Sequence, residues 1–149
     1  MRKQKSQPAG RQGFTLIEIL VVVTIIAILT AIGIVSYSSI NKRSRDAKRK
    51  SDIEQMRSAL EMYRAENGYY VDAGSGVFTE ASNLAGALVS TYLPAIPSDP
   101  KTGVSYWYKA TDVSGVKYYG YCLSANLESE NPPDTCTPYT AYNYGVKNP

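Results

Sequence analysis

GFTLIEILVVVTIIAILTAIGIV, residues 13–35, is the stretch whose reading decides the fold of this chain. From Phe14 to Val35 every residue is apolar except Thr15, Glu18, Thr24, Thr30 and Gly33. As a helix rising about 1.5 Å per residue, the run covers the ~30 Å hydrocarbon core of a bilayer. One carboxylate interrupts it. Glu18 lies about one turn inside the apolar segment, where a lone charge in lipid costs on the order of 2–3 kcal/mol. Such a group requires a partner.

Ahead of the run stand Arg2, Lys3, Lys5 and Arg11, with no acidic residue before Glu18. A secretory signal peptide also opens with a basic region, but its apolar stretch is about 7–15 residues and ends at a small-residue cleavage site. Here the run is longer and the small residue, Gly13, precedes it. A cut at Gly13 would release the basic leader and keep the hydrophobic helix.

A short basic leader ending in glycine, followed by Phe14-Thr15-Leu16-Ile17-Glu18 and an unbroken apolar run, resembles the N-terminal signature of type IV prepilins and the related pseudopilins. The resemblance implies that a membrane-embedded prepilin peptidase cuts between Gly13 and Phe14 and methylates the new N-terminal amine of Phe14. It also implies that Glu18 is neutralised by that amine, on its own or an adjacent subunit, when subunits assemble. Many pilins carry a proline where Val35 stands in this chain. Its absence moves any expected point of local helix melting to Gly33, the nearby residue that weakens a helix most.

Composition bounds what the rest can be. The chain has 149 residues, so a leader of 13 leaves a head of about 80 residues after the long helix, a modest core for independent folding. Cys122 and Cys136 suit a disulfide on an exported face, and no metal-ligand spacing such as C-x-x-C is present. There is no histidine, which removes Ser-His and Cys-His nucleophile pairs, and no glycine-rich phosphate loop appears. No enzymatic activity and no cofactor or metal are expected. Asp99 and Asp112 are conceivable calcium ligands, but a lone Asp-Pro in a proline-rich stretch reads first as a turn.

Charge is unevenly spread. The leader holds four of the 16 basic residues, so the remainder carries 12 basic against 13 acidic side chains. Residues 42–50, KRSRDAKRK, contain six basic residues and one acidic, whereas Ser51 to Pro149 contain six basic and eleven acidic. Spacing of four pairs Asp46 with Lys42 and Lys50, which leaves most of the positive charge of this collar free to meet anionic lipid headgroups or acidic surfaces of neighbouring subunits. Nucleic acid is a weaker candidate partner, since the collar has no interleaved aromatics.

Past the collar, Ile53, Met56, Leu60 and Tyr63 fall on one helical stripe. No proline occurs from Phe14 to Gly68, and Asn67-Gly68 is a helix-ending pair. One helix of about 50 residues follows. Residues 69–92 carry weak signals, with NLAGALVSTYL as one short helix or turn. LPAIPSDPKTG, residues 93–103, is irregular, and it resembles loosely the segment ahead of the sheet in pilins and major pseudopilins. Strands are expected around Tyr106–Tyr108, Val116–Leu123 and Thr140–Val146, with a turn over Thr111–Gly115. The 13 tyrosines are expected to cover a small sheet and make subunit contacts, and Tyr37 to mark the membrane–water interface.

The expected fold is therefore α+β, a pilin fold: a long N-terminal helix with a membrane half and an amphipathic half, packed under a small antiparallel sheet. Its expected parts are a removable leader at 1–13, a membrane or filament-core helix at 14–35, an amphipathic helix at 36–67 and a head with a disulfide loop at 68–149. The expected function is a structural subunit of a type IV pilus-like filament, serving adhesion, twitching motility or DNA uptake. It would start as a precursor in the cytoplasmic membrane and end in an extracellular filament. Its partners would be other copies of itself, prepilin peptidase, membrane lipid and the assembly machinery. A pseudopilin of a secretion or competence system is the alternative within the family, and a single-pass anchored binding protein the alternative outside it. The bridge between the cysteines reads first as a structural staple for a small head; beside that, the resemblance implies that its loop, with Glu128, Glu130 and Asp134, projects as an acidic contact surface, as many pilins have a disulfide-bounded loop on the filament exterior.

Overall fold

The computed structural model describes residues 13–129, 136 and 142–149. The long helix α1 is Leu16–Asn67, and the chain divides within it into one unit ending at Ser38 and another starting at Ser39. In the first unit the apolar side chains are exposed from Phe14 at 84% to Ile34 at 68%. By length and composition α1 can cross a membrane.

The second unit holds the head. The stripe of Ile53, Met56 and Leu60 is fully buried, joined by Ala59, and Tyr63 is partly buried against the same core. At the helix end Gly68 takes φ 80°, and its N–H donates to Arg64 O at 2.7 Å, closing the last turn. Over this stripe lies an antiparallel sheet of four strands in the order β1-β2-β3-β4: Thr79–Glu80, Trp107–Ser114, Lys117–Ala125 and Tyr144–Lys147. Tyr108 and Ala110 of β2, Tyr121, Leu123 and Ala125 of β3, and Tyr144 and Val146 of β4 face the core. The architecture is α+β and pilin-like.

Four details differ from the sequence reading. The strand β1 is new; two residues carry no period for a pattern to reveal. NLAGALVSTYL begins inside a short 3-10 turn, Ala81–Leu84, which leads into the one-turn helix α2, Ala85–Leu88. The turn expected over Thr111–Gly115 is shorter. Thr111 and Val113 stay in β2, paired with Gly120 and Tyr118, and the reversal uses only Gly115 and Val116, with Gly115 at φ 64°. Asp112 alone departs, at φ 55°, without shifting the register on either side. The last strand begins at Tyr144; the expected start at Thr140 lies outside the described residues, as does the leader through residue 12.

Four tyrosines are core residues rather than cover. Tyr70, Tyr106, Tyr108 and Tyr121 are buried, and each hydroxyl donates to an acceptor. Tyr106 reaches Asp52 at 2.8 Å, Tyr108 reaches Val71 O at 2.6 Å, and Tyr70 and Tyr121 share Glu61 at 3.0 and 3.1 Å. A ring this large can be buried only if its polar end finds a partner. Burial raises the ionisation of Tyr106, Tyr108 and Tyr121 well above the usual phenol range.

Candidate functional site

Two arrangements carry the chemistry, one in each unit. At the start of α1, Gly13 and Phe14 precede the first helical turn, and Thr15 sits at its cap. The Thr15 N–H donates to Glu18 Oε2 at 2.7 Å, the Thr15 hydroxyl donates to the same oxygen at 2.6 Å, and the Glu18 N–H returns a bond to Thr15 Oγ1 at 3.3 Å. This is a reciprocal capping box. The carboxylate that looked unpartnered in the sequence is satisfied within its own chain. The T-x-x-E spacing that forms the box is present in the sequence. Gly33 lies inside α1 with nothing within 4 Å of where a Cβ would stand, so packing inside the chain does not require glycine there.

In the head unit, the collar is not a free basic face. Asp46, expected to pair with Lys42 and Lys50, is buried and faces the other way. It accepts Arg49 Nη1 at 2.8 Å, the N–H of Glu128 at 2.8 Å, the N–H of Ser129 at 2.8 Å and the Ser129 hydroxyl. Its position explains the change. Residues 46, 49, 53, 56, 60 and 63 repeat at spacings of three and four, so Asp46 and Arg49 continue the core stripe toward the helix start.

Arg49, its side chain 1% exposed, is the centre of the cluster. Its Nε and Nη2 donate to Asp99 Oδ2 and Oδ1 at 2.7 and 2.9 Å, a two-bond fork, and Nη1 also meets Glu128 Oε1 at 2.9 Å. Arg45 forks Glu128 in the same manner, at 2.8 and 2.6 Å. One turn on, the buried Asp52 takes Lys48 and the Tyr106 hydroxyl. The helix thus clamps two loops at once, the proline-rich 93–103 through Asp99 and the disulfide-bounded loop through Glu128 and Ser129.

Electrostatics follow from these contacts. Hydrogen bonds from Arg45, opposed by burial and reinforced by Arg49, draw the Glu128 carboxyl down to about 2. For Asp46, burial is the largest influence and pushes its carboxyl up, but the bonds from Ser129, Glu128 and Arg49 together outweigh it and leave it lowered. Asp99 therefore holds a guanidinium, while Asp112, the other conceivable calcium ligand, lies on β2 beside Thr111. Among the described residues no group of three or more His, Cys, Asp or Glu side chains is placed to hold a metal ion.

The disulfide joins Cys122 of β3 to Cys136. It covers the outer face of β3, where Cys122 and Ser124 are buried although they alternate with core residues. Glu128, expected on a projecting loop, is instead turned inward to Arg45 and Arg49. Glu130 and Asp134 lie outside the described residues.

A protein-family model described as the prokaryotic N-terminal methylation motif matches residues 8–34. That motif is the type IV prepilin-like signal, and it takes in Gly13, Phe14, Thr15, Glu18 and Gly33. Among the curated proteins and among the solved structures no match to the chain is found.

Proposed function

We propose, on the type IV pilin- or pseudopilin-like character that this motif supports, that the chain is a structural subunit of a type IV pilus-like filament. The observation that carries the reading is the coincidence of the methylation motif with a helix whose apolar side chains, among the described residues of their unit, are exposed. Such a helix stays out of water in lipid before assembly and among like helices afterwards. Transfer between the two is then feasible because apolar surface is hidden in both.

In this reading a prepilin peptidase cuts after Gly13 and the Phe14 amine is methylated. The new amine arises one residue before the Thr15 N–H that Glu18 already accepts. Glu18 is thus held at the place where a cation appears, and the pair neutralises itself within the apolar core. The precursor sits in the cytoplasmic membrane and the assembled subunit in an extracellular filament. The head, clamped by Arg49 and stapled by Cys122–Cys136, forms its outer layer.

Mass spectrometry of the mature chain tests the first step. A mass for residues 14–149 plus one methyl group is expected, and a chain starting at Met1 refutes the reading. Removing one member of a buried ion pair costs about 3–5 kcal/mol, so Glu18→Ala is expected to abolish filaments in sheared preparations while the head keeps its circular dichroism. Electron microscopy of the same preparations distinguishes long pili from short pseudopili.

A further inference from the structure

The clamp divides the collar's six cations unequally. Arg45 and Arg49 are taken by Glu128, Asp46 and Asp99, Lys48 by Asp52, and Lys50 lies over the Tyr144 ring at 5.8 Å. Lys42 and Arg43 are exposed, and among the described residues neither side chain has an ion pair, a hydrogen bond or a ring contact. They are also the first charged residues after Glu18, following Tyr37 and Ile40, both exposed.

We infer that Lys42 and Arg43 form a binding site for the phosphate of an anionic phospholipid headgroup and are the collar's principal contact with the membrane surface. The inference rests on the membrane placement of residues 14–35 argued above. Two exposed cations with unspent side-chain donors, neighbours in sequence and shortly past the apolar run, suit the phosphate oxygens of anionic headgroups. Of the other four, Arg49 is buried, and Arg45, Lys48 and Lys50 already spend part of their donors or their charge on Glu128, Asp52 and the Tyr144 ring. Releasing Arg49 would strand buried carboxylates, and that cost exceeds what an exposed phosphate returns. A neighbouring subunit's acidic surface is the competing occupant. The lipid is favoured because the pair begins seven residues after Val35, where the apolar run ends, so a copy held in lipid by that run offers the pair to headgroups before it meets another copy.

The test is native mass spectrometry of the full chain released from nanodiscs containing phosphatidylglycerol and phosphatidylcholine. The wild type is expected to retain phosphatidylglycerol preferentially. At about 1 kcal/mol per surface cation, K42Q or R43Q lowers that preference about fivefold, and K42Q/R43Q about thirtyfold. K147Q, an exposed lysine on β4, leaves it unchanged, and added inorganic phosphate does not displace the lipid. Undiminished preference in the double variant overturns the inference. So does unchanged lipid preference with lost association between copies, which assigns the pair to a protein partner. A chain that never enters the disc overturns both the inference and the membrane reading beneath it.

Discussion

Arg49 on the long helix and Asp99 in the proline-rich loop, 50 residues apart in sequence, meet through a two-bond fork with both side chains almost wholly buried. An arginine placed among core positions is tolerable only because three carboxylates surround it. Replacing it with methionine leaves Asp46 and Asp99 buried without their cation, at a cost of about 3–5 kcal/mol. Arg49→Lys loses the fork and is expected to fall between the two, since an ammonium cannot reach Asp99, Asp46 and Glu128 in one plane. Thermal unfolding of the full chain in detergent, followed by circular dichroism, checks the order wild type, lysine, methionine.

The same cluster sets a pH dependence. Glu128 titrates near 2 in the folded head against an ordinary value of 4.5, and Asp46 is also lowered. A depressed folded value means that the carboxylate stabilises the fold fully above its unfolded value and loses that contribution as pH falls through the folded one. Stability should therefore decline between about pH 4.5 and about pH 2, the window set by Glu128. In Glu128→Gln the slope across that window is expected to flatten, read from urea midpoints at a series of pH values.

How much of this could be read beforehand depended on period and range. The core stripe at Ile53, Met56, Leu60 and Tyr63 was legible because helical spacing is local. Extending the same spacing backward reaches Arg49 and Asp46, yet a charged pair on a core stripe is easily read as solvated collar. Only the loops of Asp99 and Glu128, distant in sequence, identify it as buried. The strand β1 was invisible for the opposite reason, having only Thr79 and Glu80 to offer a pattern. At the N-terminus the cost of Glu18 is plain from its apolar neighbours, whereas Thr15, which satisfies it, is in sequence only one more small polar residue in the run.

Two glycines separate rigid from yielding surroundings. A Cβ at Gly74 would stand 2.8 Å from Val77 O, a backbone atom in a loop fixed by the Val77 N–H donating to Gly74 O and by Asp72 accepting from Ser75. A Cβ at Gly120 would overlap Asp112 Oδ2 and Thr111 Oγ1, which are side-chain atoms, and Asp112 is exposed. Overpacking against a fixed neighbour costs about 1–3 kcal/mol, so Gly74→Ala should lower the urea midpoint clearly. Gly120→Ala should cost less, because the exposed Asp112 side chain can turn away into solvent. Equal penalties at the two sites would contradict this account.

Gly33 offers a test of whether the apolar half of α1 must yield. It lies in open space within α1, so alanine there meets no atom and changes only the backbone's preference. Glycine inside a helix is less favourable than alanine by about 0.8–1 kcal/mol. Gly33→Ala in micelles is expected to slow hydrogen exchange of the amides around residue 33 by about fivefold, with the head unaffected. If assembly proceeds through local melting at this residue, the stiffened variant yields fewer filaments from equal amounts of processed subunit. A variant with slowed exchange and normal filaments would place the melting elsewhere or remove it, because the added stability opposes opening at this residue and nowhere else.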